Sequence, residues 1–174
     1  MQSRRLCEHS WSTLVKIVIA IVIAGIFLAM TVAVFYSIIN KNRATFYADE
    51  FIMALNLARN VAAQETVPVS ICPIDDQKNP NCNTDRWMYG WVVFLDVNDN
   101  GILQNEAARL LTHDALDKVL VKTDVTRITF FDIDELFFND VAIYFQGTFC
   151  YGKNAKEVII SKVGKVKQNH ALCR

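Results

Sequence analysis

Residues 17–39 read Ile17-Val-Ile-Ala-Ile-Val-Ile-Ala-Gly-Ile-Phe-Leu-Ala-Met-Thr-Val-Ala-Val-Phe-Tyr-Ser-Ile-Ile39 and contain no charged side chain. A helix of this length reaches across the roughly 30 Å hydrocarbon core of a bilayer, because each residue adds about 1.5 Å. The run is too long for the apolar core of a cleaved secretory signal, and no cleavage site of small residues follows it. The stretch therefore predicts a transmembrane helix.

The next segment, residues 40–64, contains neither proline nor glycine. An apolar residue at every third or fourth position is the pattern of one helix face. We therefore predict that the helix continues as an amphipathic helix, about 75 Å long in total at about 1.5 Å per residue, and that its second half packs along a folded domain. The apolar positions are Tyr47, Phe51, Ala54, Leu55, Ala58, Val61 and Ala62.

Positive charge flanks the apolar run unevenly. Arg4, Arg5, Lys16 and the terminal amino group precede the run, whereas Lys41 and Arg43 follow it. Because positive flanks stay in the cytoplasm, we expect residues 1–16 to be a cytoplasmic leader-like segment and residues 65–174 to form one extracytoplasmic domain. The net charge of zero implies no global attraction to nucleic acid or lipid.

The cysteines fit this placement. Cys7 lies in the presumed cytoplasmic tail, and the other four cysteines all lie in the domain, an even number that suits an oxidising compartment. Counting alone allows three pairings of those four. Pairing of sequence neighbours would close two short loops, and a zinc site is the rival interpretation, although no Cys-x-x-Cys spacing supports it. The four cysteines are Cys72, Cys82, Cys150 and Cys173.

After Pro68 the chain is punctuated by short β-type runs and by turn residues. Strands that follow one long helix, rather than alternating with helices, indicate an α+β domain with an antiparallel sheet. We expect Phe130, Phe131, Phe137, Phe138 and Phe149 to lie in its core. The predicted strands are Val67–Cys72, Trp91–Leu95, Arg109–Thr112, Val119–Thr123, Ile128–Phe131, Val141–Phe145, Thr148–Tyr151, Val158–Ser161 and Val163–Lys167.

Three oxygen-bearing side chains alternate before a glycine in the stretch from Asp96 through Asn98 and Asn100 to Gly101. Calcium loops begin with this alternation, and the glycine permits their sharp turn. The acid that completes such a loop would fall at Ala107, and Glu106 lies one residue short of that position. The stretch is therefore interpreted either as a hairpin turn or as a weak calcium site, and no other metal site or cofactor is expected.

The C-terminal segment is basic. From Gly152 onward five lysines and Arg174 face a single acid, Glu157. The simplest interpretation is a solvated edge strand on which the charges discourage pairing with strands of other molecules. For an enzyme the sequence offers little. His113 adjoins Asp114, but neighbouring strand residues point to opposite faces, and Ser70 and Ser161 lie in predicted strands without a nucleophile-elbow glycine pattern. We expect no catalytic residues.

Several blocks, in order along nearly the whole chain, resemble those of the H-type pseudopilin and FimT/FimU minor pilin family. The resemblance implies a pilin-like fold, a long helix packed on an antiparallel β-sheet domain. It also implies a structural subunit of a type IV pilus or a type II secretion pseudopilus, with other pilins and the inner-membrane assembly platform as partners. The blocks are Leu55–Arg59, Ile71–Pro73 with Cys82, Gly90–Gly101, His113–Leu116, Val158–Ser161 and Gly164–Lys167.

The amino-terminal end departs from that family, whose members carry a cleaved leader ending in glycine and an early glutamate. The comparable region here contains Ser10, Trp11, Ser12 and Lys16, with no glycine and a lysine near the place of the glutamate. The glutamate offers a counter-charge to a neighbouring subunit's amine, which lysine would repel. Either the chain is processed near Ser10 and sits at a filament tip, or it stays unprocessed in the membrane.

The block Gly164-Lys-Val-Lys167 also resembles a Gly-Arg-x-Arg motif with which some FimT-like proteins hold DNA during uptake. Alternate strand residues point to one face, about 7 Å apart, close to the spacing of phosphates on one strand. Lysine in place of arginine keeps the charge but not bidentate geometry. The resemblance implies a DNA-binding candidate set of Lys153, Lys156, Lys162, Gly164, Lys165 and Lys167.

Overall fold

The structure, a computed structural model, describes residues 4–75, 79–131 and 140–174, with side chains described from Thr13 onward except at 33 and 37. One long helix precedes a series of antiparallel strands, which confirms the predicted α+β class. The described elements are α1 (Arg4–Glu65), β1 (Val69–Pro73), β2 (Trp91–Leu95), β3 (Arg109–His113), β4 (Val119–Lys122), β5 (Ile128–Phe130), β6 (Val141–Gly147), β7 (Ala155–Ile160) and β8 (Val166–Ala171).

The chain divides into two compact units, Met1–Ile38 and Ile39–Arg174. The first consists of the amino-terminal part of α1, and its large apolar side chains are exposed wherever they are described. By length and composition, this helix is long and apolar enough to cross a membrane, with a mean hydropathy of 3.0 in its most apolar window. The predicted transmembrane run therefore corresponds to continuous helix.

In the second unit, α1 buries one face from Asn40 to Ala62. Five of the seven predicted positions are fully buried, whereas Tyr47 and Val61 are half-buried and pack against the core. Phe51 is the centre of an aromatic cluster, with its ring centroid 5.1 Å from that of Trp91 and 5.6 Å from those of Trp87 and Phe145. The fully buried face consists of Ala44, Ala48, Phe51, Ala54, Leu55, Ala58 and Ala62.

Two four-stranded antiparallel sheets supply the other side of this core. The first has the order β3-β2-β1-β5 and the second the order β4-β6-β7-β8. In the second sheet Ile143 pairs with Val158 and Val141 with Ile160, and these buried side chains belong to the same cluster as the helix face. The core thus lies between α1 and the inner faces of both sheets.

Several expectations about the elements were wrong, and β7 begins at Ala155 rather than at Val158. Residues 148–151 form no strand, because the chain turns directly after Gly147. The last strand starts at Val166 rather than Val163, since Ser161–Lys165 makes a tight turn in which the Gly164 amide donates to the Ser161 carbonyl at 2.8 Å. The first strand begins at Val69, after Pro68.

The aromatic prediction was correct only in part. Phe130 is buried and Phe131 is half-buried, but Phe149 is 67% exposed and lies outside the core. Phe137 and Phe138 lie outside the described residues. Phe149 was misassigned because it was taken for part of a strand facing the helix.

Candidate functional site

The turn that follows β2 is organised around the carboxylate of Asp96, which is 1% exposed. Its Oδ2 accepts hydrogen bonds from the Ser70 hydroxyl at 2.8 Å and from the Gly101 amide at 2.9 Å. Its Oδ1 accepts from the Asn100 amide at 3.0 Å. A buried carboxylate requires such partners, because an unpaired one would strongly destabilise the fold.

A cation also faces this turn. Nη1 of Arg127 lies 3.5 Å from Asp96 Oδ2 and 3.3 Å from Asp99 Oδ1. The guanidinium therefore provides, at the carboxylate, the positive charge that a metal would bring. These contacts give Asp96 the role of fastening the β2–β3 turn to β1 and β5, where its partner Ser70 also hydrogen-bonds Thr129 at 2.8 Å.

The other members of the calcium candidate set point elsewhere. Asn98 is exposed, and the Asn100 side-chain oxygen accepts a hydrogen bond from the Ile102 amide at 3.0 Å. Glu106 binds Arg109 at 2.8 Å, and this hydrogen bond lowers the pKa of the Glu106 carboxyl below its usual value. Among the described residues no group of three or more His, Cys, Asp or Glu could hold a metal ion. Calcium binding stays a prediction that a calcium titration followed by thermal unfolding would test.

The structure divides the basic candidate set into two groups. Lys162, Gly164 and Lys165 form the β7–β8 turn, and Lys167 follows in β8, opposite Ile159. Lys156 pairs instead with His170 near the other end of the hairpin. Because positions 156 and 159 are three residues apart in one strand, Lys156 and Lys167 lie on opposite faces of the sheet.

Lys153 precedes β7 and is also distant from the turn along the strand. The turn therefore brings together four of the six predicted residues, and the far end of the hairpin holds the other two. We name the first set the turn cluster: Lys162, Gly164, Lys165 and Lys167.

Arg59 of α1 belongs beside this cluster, and sequence reasoning assigned it no role. Gly164, which has a φ of +67°, lies so close to the helix that a Cβ there would be 3.4 Å from Arg59 Nε. Arg59 ends the Leu55–Arg59 block that resembles the pilin family, and that block was the only signal available in the sequence. The left-handed φ favours glycine at this turn, whereas a Cβ would meet the Arg59 guanidinium only at ordinary contact distance.

The structure joins the four cysteines of the domain as sequence neighbours, one of the three pairings that counting left open. Cys72 bonds Cys82, with their Cα atoms 5.0 Å apart, and ties the end of β1 to the following loop. Cys150 bonds Cys173, with Cα atoms 5.7 Å apart, and ties the loop after β6 to the carboxyl end.

The carboxyl-terminal tail lies over the outer face of the second sheet. The Arg174 amide donates to the Gln146 side-chain oxygen at 2.8 Å, and the Gln146 amide donates back to the Arg174 carbonyl at 2.6 Å. The Arg174 guanidinium stands 4.0 Å from the centroid of the Tyr144 ring. A hydrogen bond to Glu157, together with burial, raises the pKa of the Tyr144 hydroxyl.

The histidine considered for chemistry has a structural environment. The His113 ring stacks on Trp91 with centroids 4.0 Å apart, and its Nδ1 lies 2.7 Å from the Asp114 carbonyl. In the predicted processing region the side chains of Ser10, Trp11 and Ser12 lie outside the described residues. Lys16 is exposed on α1.

The sequence matches a protein-family model over most of its length. The family described as type II transport protein GspH matches residues 47–164, from the buried half of α1 to the β7–β8 turn. The matched segment contains the Asp96 turn, the Cys72–Cys82 disulfide and both sheets up to β7. No curated protein matches the sequence.

Among solved structures, the type IV minor pilin FimU of Pseudomonas aeruginosa strain PAO1 is similar in two crystal forms. The P21 form is 20% identical with a TM-score of 0.56, covering 74% of this chain and 89% of FimU. The P65 form is 20% identical with a TM-score of 0.52, covering 70% and 89%. The minor pseudopilin EpsH of the type 2 secretion system of Vibrio cholerae is 12% identical with a TM-score of 0.48, covering 74% and 97%.

Proposed function

The chain belongs to the GspH family of type II transport proteins, and on that premise we propose that it is a membrane-anchored minor pilin or pseudopilin. Its role is structural: it is a subunit of a type IV pilus or a type II secretion pseudopilus. The observation that carries the proposal is the change within α1. An apolar run with exposed side chains gives way to a face fully buried under the sheets.

The membrane placement follows from the chemistry of that helix. Residues 17–39 would span the bacterial inner membrane once, with the amino terminus in the cytoplasm and residues 65–174 in the periplasm or on a filament. The two disulfides support the oxidising side for the domain. The apolar half of α1 would contact other pilins and the inner-membrane assembly platform.

The positive charge of Lys16 is compatible with two forms of this function. In a filament core a lysine near a neighbour's terminal amine is unfavourable, because two like charges would be desolvated together. At the membrane edge the same lysine reaches the headgroups at small cost. The chain would therefore either sit at a filament tip, where no preceding amine needs a counter-charge, or remain unprocessed as an assembly factor.

Mass spectrometry of the amino terminus in purified membranes separates these forms. Cleavage near Ser10, with or without the amino-terminal methylation of processed pilins, supports the filament-tip form. An intact Met1–Ser10 peptide from the membrane fraction excludes it and supports the retained form. Release of the uncleaved chain from membranes by alkaline carbonate would contradict the anchor and with it both forms.

DNA binding is the second candidate function, and the turn cluster beside Arg59 favours it. Three lysines at one end of the hairpin, with Arg59 of α1 beside them, would hold phosphates by charge, without reading bases. Such binding weakens steeply with salt, because it releases counterions. The cation set differs from the one proposed from sequence, since Lys153 and Lys156 lie at the other end.

Gel shifts with the full chain in detergent test this function. We expect Lys165→Ala/Lys167→Ala to weaken binding to double-stranded DNA at low salt by at least about tenfold, whereas Lys153→Ala/Lys156→Ala, which removes equal charge, has a smaller effect. Equal losses in the two double variants would indicate non-specific attraction. Equal mobility of DNA with the native chain and with Lys165→Ala/Lys167→Ala would exclude the turn cluster.

A further inference from the structure

The loop between β6 and β7, residues 148–154, presents aromatic side chains to solvent. Phe149 is 67% exposed and Tyr151 is 76% exposed, and Leu172 in the adjoining tail is 61% exposed. Two contacts hold the loop in place: the Cys150–Cys173 disulfide, and the hydrogen bond that the Cys173 amide donates to the Gly152 carbonyl at 2.9 Å. We name residues 148–154 the Phe149 loop.

The Phe149 loop is fastened to the first residue after the apolar run. The Asn40 side-chain amide donates to the Phe149 carbonyl at 3.4 Å, and Asn40 itself is 6% exposed. Gly147 approaches Asn40 so closely that a Cβ there would lie 2.7 Å from Asn40 Cβ. Asn40 directly follows Ile39 in the sequence. The loop therefore lies within a few ångströms of the point where the uncharged stretch ends.

Exposed lysines lie in the segments next to this contact. Lys41 follows Asn40, Lys153 belongs to the Phe149 loop, and Lys118 lies beside it, since the Thr148 amide donates to the Lys118 carbonyl at 3.1 Å. Aromatic rings with lysines at the end of a membrane-spanning run are the chemistry of the bilayer interface. The rings partition into the headgroup layer, and the ammonium groups bind lipid phosphates.

We propose that the Phe149 loop binds the phospholipid headgroup layer of the membrane that holds residues 17–39. Phe149 and Tyr151 would enter the interface, with Lys41, Lys118 and Lys153 against anionic headgroups. The proposal rests on the membrane anchor proposed above. The occupant is lipid rather than a neighbouring subunit because the loop is fixed to the end of the transmembrane run by its own chain.

Val97 is a matched control within the same domain. Its side chain is 65% exposed, close to the 67% of Phe149. Val97 lies in the turn after β2, where the Asp96 amide donates to the Pro68 carbonyl at 2.8 Å. Pro68 follows the end of α1 at Glu65. At about 1.5 Å per residue, about 38 Å of helix separates Asn40 from that end. Phe27, which lies in the apolar run and is 67% exposed, reports the anchor itself.

The test uses the full chain in proteoliposomes of phosphatidylethanolamine and phosphatidylglycerol. The photoreactive residue p-benzoylphenylalanine replaces Phe149, Val97 or Phe27 in separate variants, and adducts formed under ultraviolet light are identified by intact mass. We expect lipid adducts at positions 149 and 27, with at least about tenfold more adduct at 149 than at 97. Lowering the phosphatidylglycerol fraction should reduce the yield at 149 but not at 27.

Each of the following results would overturn the proposal. Lipid adducts at 27 but none at 149, or equal yields at 149 and 97, would refute the interface loop while leaving the anchor in place. Adducts at 149 that join two copies of the chain would assign the loop to a subunit contact instead. If position 27 gives no lipid adduct and the chain does not float with the vesicles, the anchor fails, and the proposal fails with it.

Discussion

The two halves of α1 have the same secondary structure and opposite surroundings. Phe27, in the first half, is 67% exposed, whereas Phe51, in the second, is 1% exposed. Neither half contains proline, and both continue one helix. Helical structure alone therefore does not decide what covers a helix, whereas the distribution of apolar side chains around it does. In the second half the sheets of this chain cover the apolar face. In the first half lipid or another molecule must cover the apolar side chains.

The buried face of the second half explains how the sheets approach so closely. Most of its positions are alanines, and Phe51 and Leu55 are the two large side chains among the fully buried ones. Small side chains let the sheets come near the helix backbone, while the aromatic cluster around Phe51 fills the wider space between them. The first half instead carries large branched side chains around its circumference, as a lipid-facing helix does.

Truncation of the same residue type in both halves has the largest expected effect. Phe51→Ala should lower the free energy of unfolding of the domain by about 3–5 kcal/mol, because it removes a fully buried ring and leaves a cavity. Phe27→Ala should leave that free energy unchanged. Urea unfolding of the full chain in detergent, followed by near-ultraviolet circular dichroism, measures both. Similar losses for the two variants would mean that the halves are not energetically distinct.

A second test introduces a positive charge into each half and compares the membrane retention of the two variants. Leu28→Arg puts a cation near the centre of the apolar run, where it opposes insertion by about 2.5–3.5 kcal/mol. Asn56→Arg places the same charge on the exposed side of the second half. We expect alkaline carbonate to release a larger fraction of Leu28→Arg than of the native chain, with no change for Asn56→Arg. Full membrane retention of Leu28→Arg would remove the distinction between the halves.

A methyl group added at two glycines compares close packing with open space. Gly147→Ala would bring a Cβ to 2.7 Å from Asn40 Cβ, so the strand or the helix must move. We expect a loss of about 1–3 kcal/mol in domain stability, the usual cost of overpacking. Gly25→Ala meets nothing within 4 Å and should not destabilise the domain. Thermal unfolding of both variants decides, and equal midpoints would show that the strand yields without strain.

The parts of the fold that were predictable from sequence are those that local patterns specify. The spacing of Phe51, Leu55 and Ala58 identified the buried helix face, and the run Trp91–Leu95 identified β2 at both ends. Side-chain periodicity is a local property, so no knowledge of distant contacts was needed for either.

The positions of charges in the candidate site were not predictable in the same way. The position of each lysine depends on hairpin register. The turn at Ser161–Lys165 and the pairing of Lys156 with His170 place Lys153 and Lys156 at the end of the hairpin away from Lys165 and Lys167. The contacts of Arg59 with the Gly164 turn, and of Asn40 with Phe149, join residues far apart in sequence. The Asn40–Phe149 hydrogen bond, for example, spans 109 positions. No local pattern encodes such a meeting.

The smallest expected effect concerns the polar contacts at the edge of the buried half. Arg43 Nη2 lies 3.1 Å from Asp117 Oδ2, with 32% and 63% of the two side chains exposed, and the Tyr47 hydroxyl accepts from the Asp117 amide at 2.9 Å. Asp117→Asn removes the ion pair but keeps the backbone contact. Because exposed pairs contribute little, we expect a loss of at most about 1 kcal/mol, measured by urea unfolding.

Salt separates that ion pair from the apolar packing beside it. At about 1 M salt the Debye length falls to about 3 Å, so the difference between Asp117→Asn and the native chain should shrink toward zero. The loss caused by Phe51→Ala should persist, since burial of an aromatic ring does not depend on screening. A loss above about 2 kcal/mol for Asp117→Asn that salt leaves unchanged would contradict this ordering. The second half of α1 would then depend on polar contacts at its edge as much as on its buried face.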